Sequence, residues 1–142
     1  MSYEVRIGFV IESAVPRKLD FQKIEQALGL GDSSLRWRIG DRLDTRSSRL
    51  RKTDGIAYQL FSGLDCDPVA EASRLLARIQ GRGQQAIAVL NDNAVELSVT
   101  IRLNGSDTPP LNLDPDFTGV LNKLNIALDV DLYVFPSDDE IT

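Results

Sequence analysis

The chain has 142 residues, 42% of them hydrophobic, and a formal charge of −5, enough for one domain with a real core. It has no histidine and a single cysteine, Cys66. This excludes Ser-His-Asp and Cys-His nucleophile pairs, histidine-liganded metals, an internal disulfide and iron–sulfur clusters.

What remains for acid–base chemistry is carboxylates, lysines and tyrosines, so the expectation is a protein that is not an enzyme and has no cofactor. The apolar runs are short and broken by charge, which argues against a segment that spans a bilayer. Glu4 and Arg6 interrupt the opening MSYEVRIGFVI, so no secretory leader is read there. With one cysteine, the expected compartment is the reducing cytoplasm.

In chain order, a first strand is predicted over Tyr3–Ile11. Tyr3, Val5, Ile7, Phe9 and Ile11 alternate there with Glu4, Arg6 and Gly8. A helix follows near Asp20–Leu28, with Asp20 as cap, Phe21, Ile24, Ala27 and Leu28 as its apolar stripe, and Gly29 as its stop. A second strand is expected at Leu35–Ile39 and a third at Ile56–Phe61. The polar stretch between them, about 40–55, lacks periodicity and is expected to be a long mobile loop. Asp67-Pro68 opens a helix that carries Val69, Ala72, Leu75, Leu76 and Ile79. Gly81 and Gly83 break it, and Gln84–Leu90 continues the helical pattern. Val95–Leu103 is the clearest strand. Asp114-Pro115 then opens a last helix through Phe117, Val120, Leu121 and Leu124, and the period returns to two from Ala127 to Val134. The tail, 136–142, reads as frayed.

The expected fold is a single α+β domain over 1–142, in the order β-α-β-β-α-β-α-β. A mainly antiparallel five-stranded sheet would carry its helices on one face, ferredoxin-like with an added helix and strand.

Several short motifs recur in a known pattern. They are the first alternating strand, a helix ending in Ala27–Leu30, Trp37 followed by Gly40-Asp41, the Val95–Ser98 strand, and the close from Leu121 to Tyr133. Together they resemble a bacterial family of small uncharacterised proteins, domain of unknown function 4279, over essentially the whole chain. The resemblance implies a fold and brings no activity or catalytic residue. The segment after Asp41 is longer and richer in arginine than the resemblance implies.

Charge gives the second signal. Arg36, Arg38, Arg42, Arg46, Arg49, Arg51 and Lys52 stand against only Asp41 and Asp44, a local +5 that leaves −10 for the rest of the chain. Such asymmetry suits an anionic partner. Trp37 among these arginines offers a stacking platform for a base, although its alternation with Leu35 and Ile39 favours a place in the core. Asp129 and Asp131 share one face of the last strand, with Cβ atoms about 7 Å apart. With Glu96 they form the alternative of a metal site, and Asp107 would have to arrive by folding; the plainer reading is a solvated strand face. Gly81-Arg82-Gly83 follows a helix, so it is a helix break and not a dinucleotide motif.

These features lead to a non-catalytic cytoplasmic domain that binds a protein partner through the Arg36–Lys52 segment, in the manner of an immunity or antitoxin protein. A small carboxylate- or metal-dependent enzyme and an RNA-associated domain are the alternatives. No membrane contact is expected.

Overall fold

The period-two runs become a five-stranded sheet, as seen in a computed structural model that describes residues 3–46, 48–105, 108 and 110–136. Its strands are β1 (Glu4–Ser13), β2 (Leu35–Trp37), β3 (Gly55–Leu64), β4 (Asn93–Asn104) and β5 (Ile126–Phe135), in the spatial order β2-β3-β1-β4-β5. The helices are α1 (Phe21–Leu28), α2 (Pro68–Gln80), α3 (Gln84–Asp92) and α4 (Pro115–Lys123). Of the expected tail, 136–142, only Pro136 is described; 137–142 and Asp107 lie outside the described residues.

The sheet is mixed and not mainly antiparallel. β1 runs antiparallel to β3 and β4, and β2 antiparallel to β3, but β5 lies parallel to β4. The connection explains the difference. The chain leaves β4 and returns through α4 before it pairs, and a helical crossover delivers the next strand in the same direction.

Cap chemistry sets the helix ends. Asp20, Asp67 and Asp114 each accept a first-turn backbone N–H, and Pro68 and Pro115 occupy the first turn, where no amide donor is required. Gly29 closes α1 in the left-handed region at φ 61°. Two arginines distant in sequence complete these ends. Arg82 donates to the Gln26 carbonyl at 2.7 Å and Arg17 to the Asp92 carbonyl at 2.8 Å. Each satisfies a carbonyl that a helix end leaves without a partner.

One face of the sheet builds the core. Val5, Ile7, Phe9 and Ile11 of β1 and Val95, Leu97, Val99, Ile101 and Leu103 of β4 are buried with Ile24, Leu28, Leu75, Leu76, Ile79 and Leu90 of the helices. Each large apolar side chain contributes about 1.5–3 kcal/mol on leaving water. The opposite face stays accessible along Arg6, Gly8, Ser98 and Thr100.

β3 departs from simple alternation. Ile7 pairs with Phe61 while Gly8 pairs with Gln59, so Leu60 is an extra residue in a bulge. The inward side therefore switches from Ile56 and Tyr58 to Phe61, which lets the strand run on to Leu64 and not end at Phe61. β2 is shorter than expected: it ends at Trp37, and Leu35 and Ile39 are exposed. The segment expected to be a mobile loop is a hydrogen-bonded hairpin. Arg42 bridges Leu50. Backbone bonds also join the Gly40 amide to the Arg51 carbonyl, the Leu43 amide to the Arg49 carbonyl, and the Arg51 amide to the Asp41 carbonyl.

Candidate functional site

The basic segment divides into a structural base and an exposed tip. At the base, Asp54 is only 2% exposed. It accepts from the Leu19 amide at 2.9 Å, from the Ile39 amide at 2.8 Å, and from Arg38, with which it also forms an ion pair. Burial pushes its carboxyl upward, but the bonds from Leu19, Ile39 and Arg38 outweigh that and hold it below the usual carboxylate range. Arg38 further donates to the Leu19 carbonyl at 2.7 Å and stacks 4.0 Å from the Phe21 ring centroid. Arg36 pairs with Glu25 and lies 5.6 Å from the same ring. The Arg36 and Ser33 bonds hold the Glu25 carboxyl low against the opposing effect of burial.

Trp37 is a core residue, 6% exposed. Its indole occupies the space over Gly55, its partner across β2 and β3, where a Cβ would lie 2.0 Å from the ring. Arg51 covers the ring at 4.1 Å from its centroid. Packed on one side by Gly55 and on the other by a guanidinium, Trp37 offers no open stacking face for a base.

The tip is different. Arg42, Arg46, Arg49 and Lys52 are exposed, and so are Leu43 and Leu50, at 41% and 55%. Arg42, Arg46 and Lys52 make no ion pair among the described residues. Leu43, Arg49, Leu50, Lys52, Thr53 and Glu12 line an open depression of about 710 Å³. Over Asp41–Lys52, five basic residues against two acids leave a net +3. Leu43 and Leu50 are thus exposed on a hydrogen-bonded hairpin of net positive charge.

The carboxylates Glu96, Asp129 and Asp131 stand on the open sheet face, with Ser98 beside Asp129 and Thr100 beside Asp131 across β4 and β5. Glu96 is pushed up by burial and then by repulsion from Asp129, Glu12 and Asp131. They share a field but not a coordination sphere: among the described residues, no group of three His, Cys, Asp or Glu side chains could hold a metal ion. Cys66 is half-buried and its thiol donates to the Leu64 carbonyl at 3.2 Å.

The model of the family described as "Domain of unknown function (DUF4279)" matches residues 3–135. The chain belongs to this family. No curated protein and no solved structure matches it. The family description assigns no function, so the site has to be argued from the geometry of this member. Among its described residues, no helix is long and apolar enough to cross a membrane.

Sequence reasoning missed three contributors. Leu43 and Leu50 sit in a segment without periodicity, so nothing marked them as an apolar pair. Asp54 looked like one more polar loop residue. Its sequence cue was its place immediately before Gly55 and the third strand, where a side-chain acceptor can close a loop.

Proposed function

We propose that this protein is a non-catalytic, cytoplasmic binding domain whose partner is a protein with an acidic surface, engaged through the hairpin tip at Arg42, Leu43, Arg46, Arg49, Leu50 and Lys52. The observation that carries this reading is the exposure of Leu43 and Leu50 on a backbone-locked hairpin of net positive charge. A partner with carboxylates around an apolar centre would bury the leucines and be steered by the arginines. Size and charge asymmetry support an immunity- or antitoxin-like role as the concrete form. The burial of Trp37 under Arg51 favours the protein-binding reading over an RNA-associated one that would use Trp37 as a stacking platform beside the arginines. The β2-β3-β1-β4 order with antiparallel neighbours supports reading the first four strands as a ferredoxin-like unit to which α4 and β5 are appended.

The test is affinity capture from the source cell with three baits: the wild type, Arg42→Glu/Arg46→Glu, and Arg74→Glu as a charge control on α2. The reading expects one acidic protein that is retained by the wild type and the control and lost from the hairpin variant. Its purified complex should weaken steeply with salt. Retention by all three baits, or recovery of nucleic acid alone, would overturn it.

A further inference from the structure

The open face of the sheet carries a second feature, independent of the hairpin. Around Gly8 at the middle of β1, Arg6, Gln59, Ser98, Thr100 and Arg102 line a concavity of about 360 Å³. That volume lies within the range of about 300–1,000 Å³ typical of small-ligand sites. Its floor is set by the backbone. Gly8 has paired strands on both sides, and the β3 bulge falls at the same position. A Cβ at Gly8 would stand only 3.2 Å from the Tyr58 carbonyl oxygen, so the bulge keeps this position small. A glycine inside a central strand marks a close approach, and a bulge beside it re-aims the neighbouring side chains.

The lining holds two guanidinium groups, two hydroxyls, a carboxamide and the Tyr133 phenol and no carboxylate, while Asp129 and Asp131 border it beside Ser98 and Thr100. Arg102 lies over the Phe135 ring at 5.3 Å and makes no ion pair among the described residues. A guanidinium stacked this way keeps its in-plane N–H groups available. Arg6 is bonded through Nε to Glu4, which leaves its terminal nitrogens and partly offsets its charge. Glu4 and Arg102 are also partners across β1 and β4, so one carboxylate stands beside both arginines.

We infer that this concavity is a binding site for a small organic oxyanion, a carboxylate or a phosphate ester, with Arg6 and Arg102 on the anion and Ser98, Thr100 and Gln59 donating to its remaining oxygens. Paired arginines with hydroxyl donors are the arrangement that planar or tetrahedral oxyanions require. Glu4 tempers the affinity by competing for Arg6.

The experiment is an amide-resolved NMR titration of the full chain. Separate arms use inorganic phosphate and citrate, with ionic strength matched by sodium chloride. Saturable shifts are expected at Gly8, Ser98 and Thr100. Arg102→Gln should raise Kd by about tenfold or more, as expected for the loss of a charged hydrogen bond. Glu4→Gln should lower Kd several-fold by releasing Arg6, a gain that a merely structural glutamate would not produce. Arg74→Glu, an exposed charge reversal on α2, should leave Kd unchanged. Saturation by phosphate alone would assign phosphate esters, and by citrate alone, carboxylates. Shifts that match the chloride control, that survive Arg102→Gln, or that map to the hairpin would overturn the inference.

Discussion

Replacing Asp54 with alanine tests what holds the hairpin in place. The side chain satisfies two backbone donors, Leu19 and Ile39, and pairs with Arg38. The Arg38 side chain is 39% exposed and can be rehydrated, so its part of the loss is small. The Leu19 bond is buried and the Ile39 bond partly so. A donor left without a partner in the interior costs about 1–3 kcal/mol. Weighting the buried amide fully and the other by half gives a loss of about 3 kcal/mol. Against a typical total of about 5–15 kcal/mol, this is a large fraction.

Urea unfolding at pH 7 provides the assay, with a midpoint expected to fall by about 1–2 M at unchanged slope. Glu25→Ala is the comparison, because the Arg36–Glu25 pair is a surface interaction expected to contribute about 1 kcal/mol or less. Since the folded Asp54 carboxyl titrates below its unfolded value, its contribution is present above about pH 4. It is lost as the pH falls through the folded value, so the gap between wild type and Asp54→Ala should narrow in acid. If the two alanine variants had equal midpoints at pH 7, the buried carboxylate would not be what anchors the hairpin.

Gly55→Ala places a methyl 2.0 Å from the Trp37 ring, so the ring must leave its site. As the chain has a single tryptophan, the emission should shift to the red in the folded state, and an unshifted spectrum would contradict the packing. Tyr58 is 2% exposed, its hydroxyl has no partner among the described residues, and burial pushes its pKa up to about 12. Tyr58→Phe should therefore hold or raise the unfolding midpoint, whereas a loss above about 1 kcal/mol would reveal a bonded hydroxyl. Glu96 is raised, so its ionised form is penalised at neutral pH and the penalty disappears below about pH 4. Glu96→Gln should stabilise the protein at pH 7 and not at pH 3, and a gain that persisted in acid would point to packing instead of charge.

The local chemistry of the sequence was enough for the helices and most strands. Asp20, Asp67 and Asp114 cap where their spacing predicted, since a cap needs only the first-turn amides beside it. The direction of β5 was not legible, because its alternation reports one buried face and says nothing of which way the strand runs. Nor was the bulge at Leu60, which depends on a register that β1 imposes from elsewhere in the chain. The hairpin escaped notice for the same reason. Its rungs are backbone bonds between Gly40, Asp41, Leu43, Arg49 and Arg51, and residues of any type can make them. At the candidate site, the list of basic residues was readable, but their roles were decided by distant partners: Glu25 for Arg36, Asp54 for Arg38, and Trp37 for Arg51.

That division of roles changes what a binding measurement should show. Counted along the sequence, the basic segment offers +5, but Arg36 and Arg38 are paired at the base, and the tip from Asp41 to Lys52 carries +3. The salt dependence of association should follow the smaller charge, because a guanidinium already paired with a carboxylate contributes little to the long-range field. Under the proposed binding role, Asp54 would act on the complex without touching a partner. Removing it takes away a negative charge, which on electrostatic grounds alone would favour an acidic partner. It also releases Ile39 and Arg38, the residues that lead into the hairpin. If placement of Leu43 and Leu50 governs the complex, Asp54→Ala should weaken binding despite its more positive charge, mainly through faster dissociation. Tighter binding would mean that the net charge of the segment, and not the geometry of the tip, is what a partner reads.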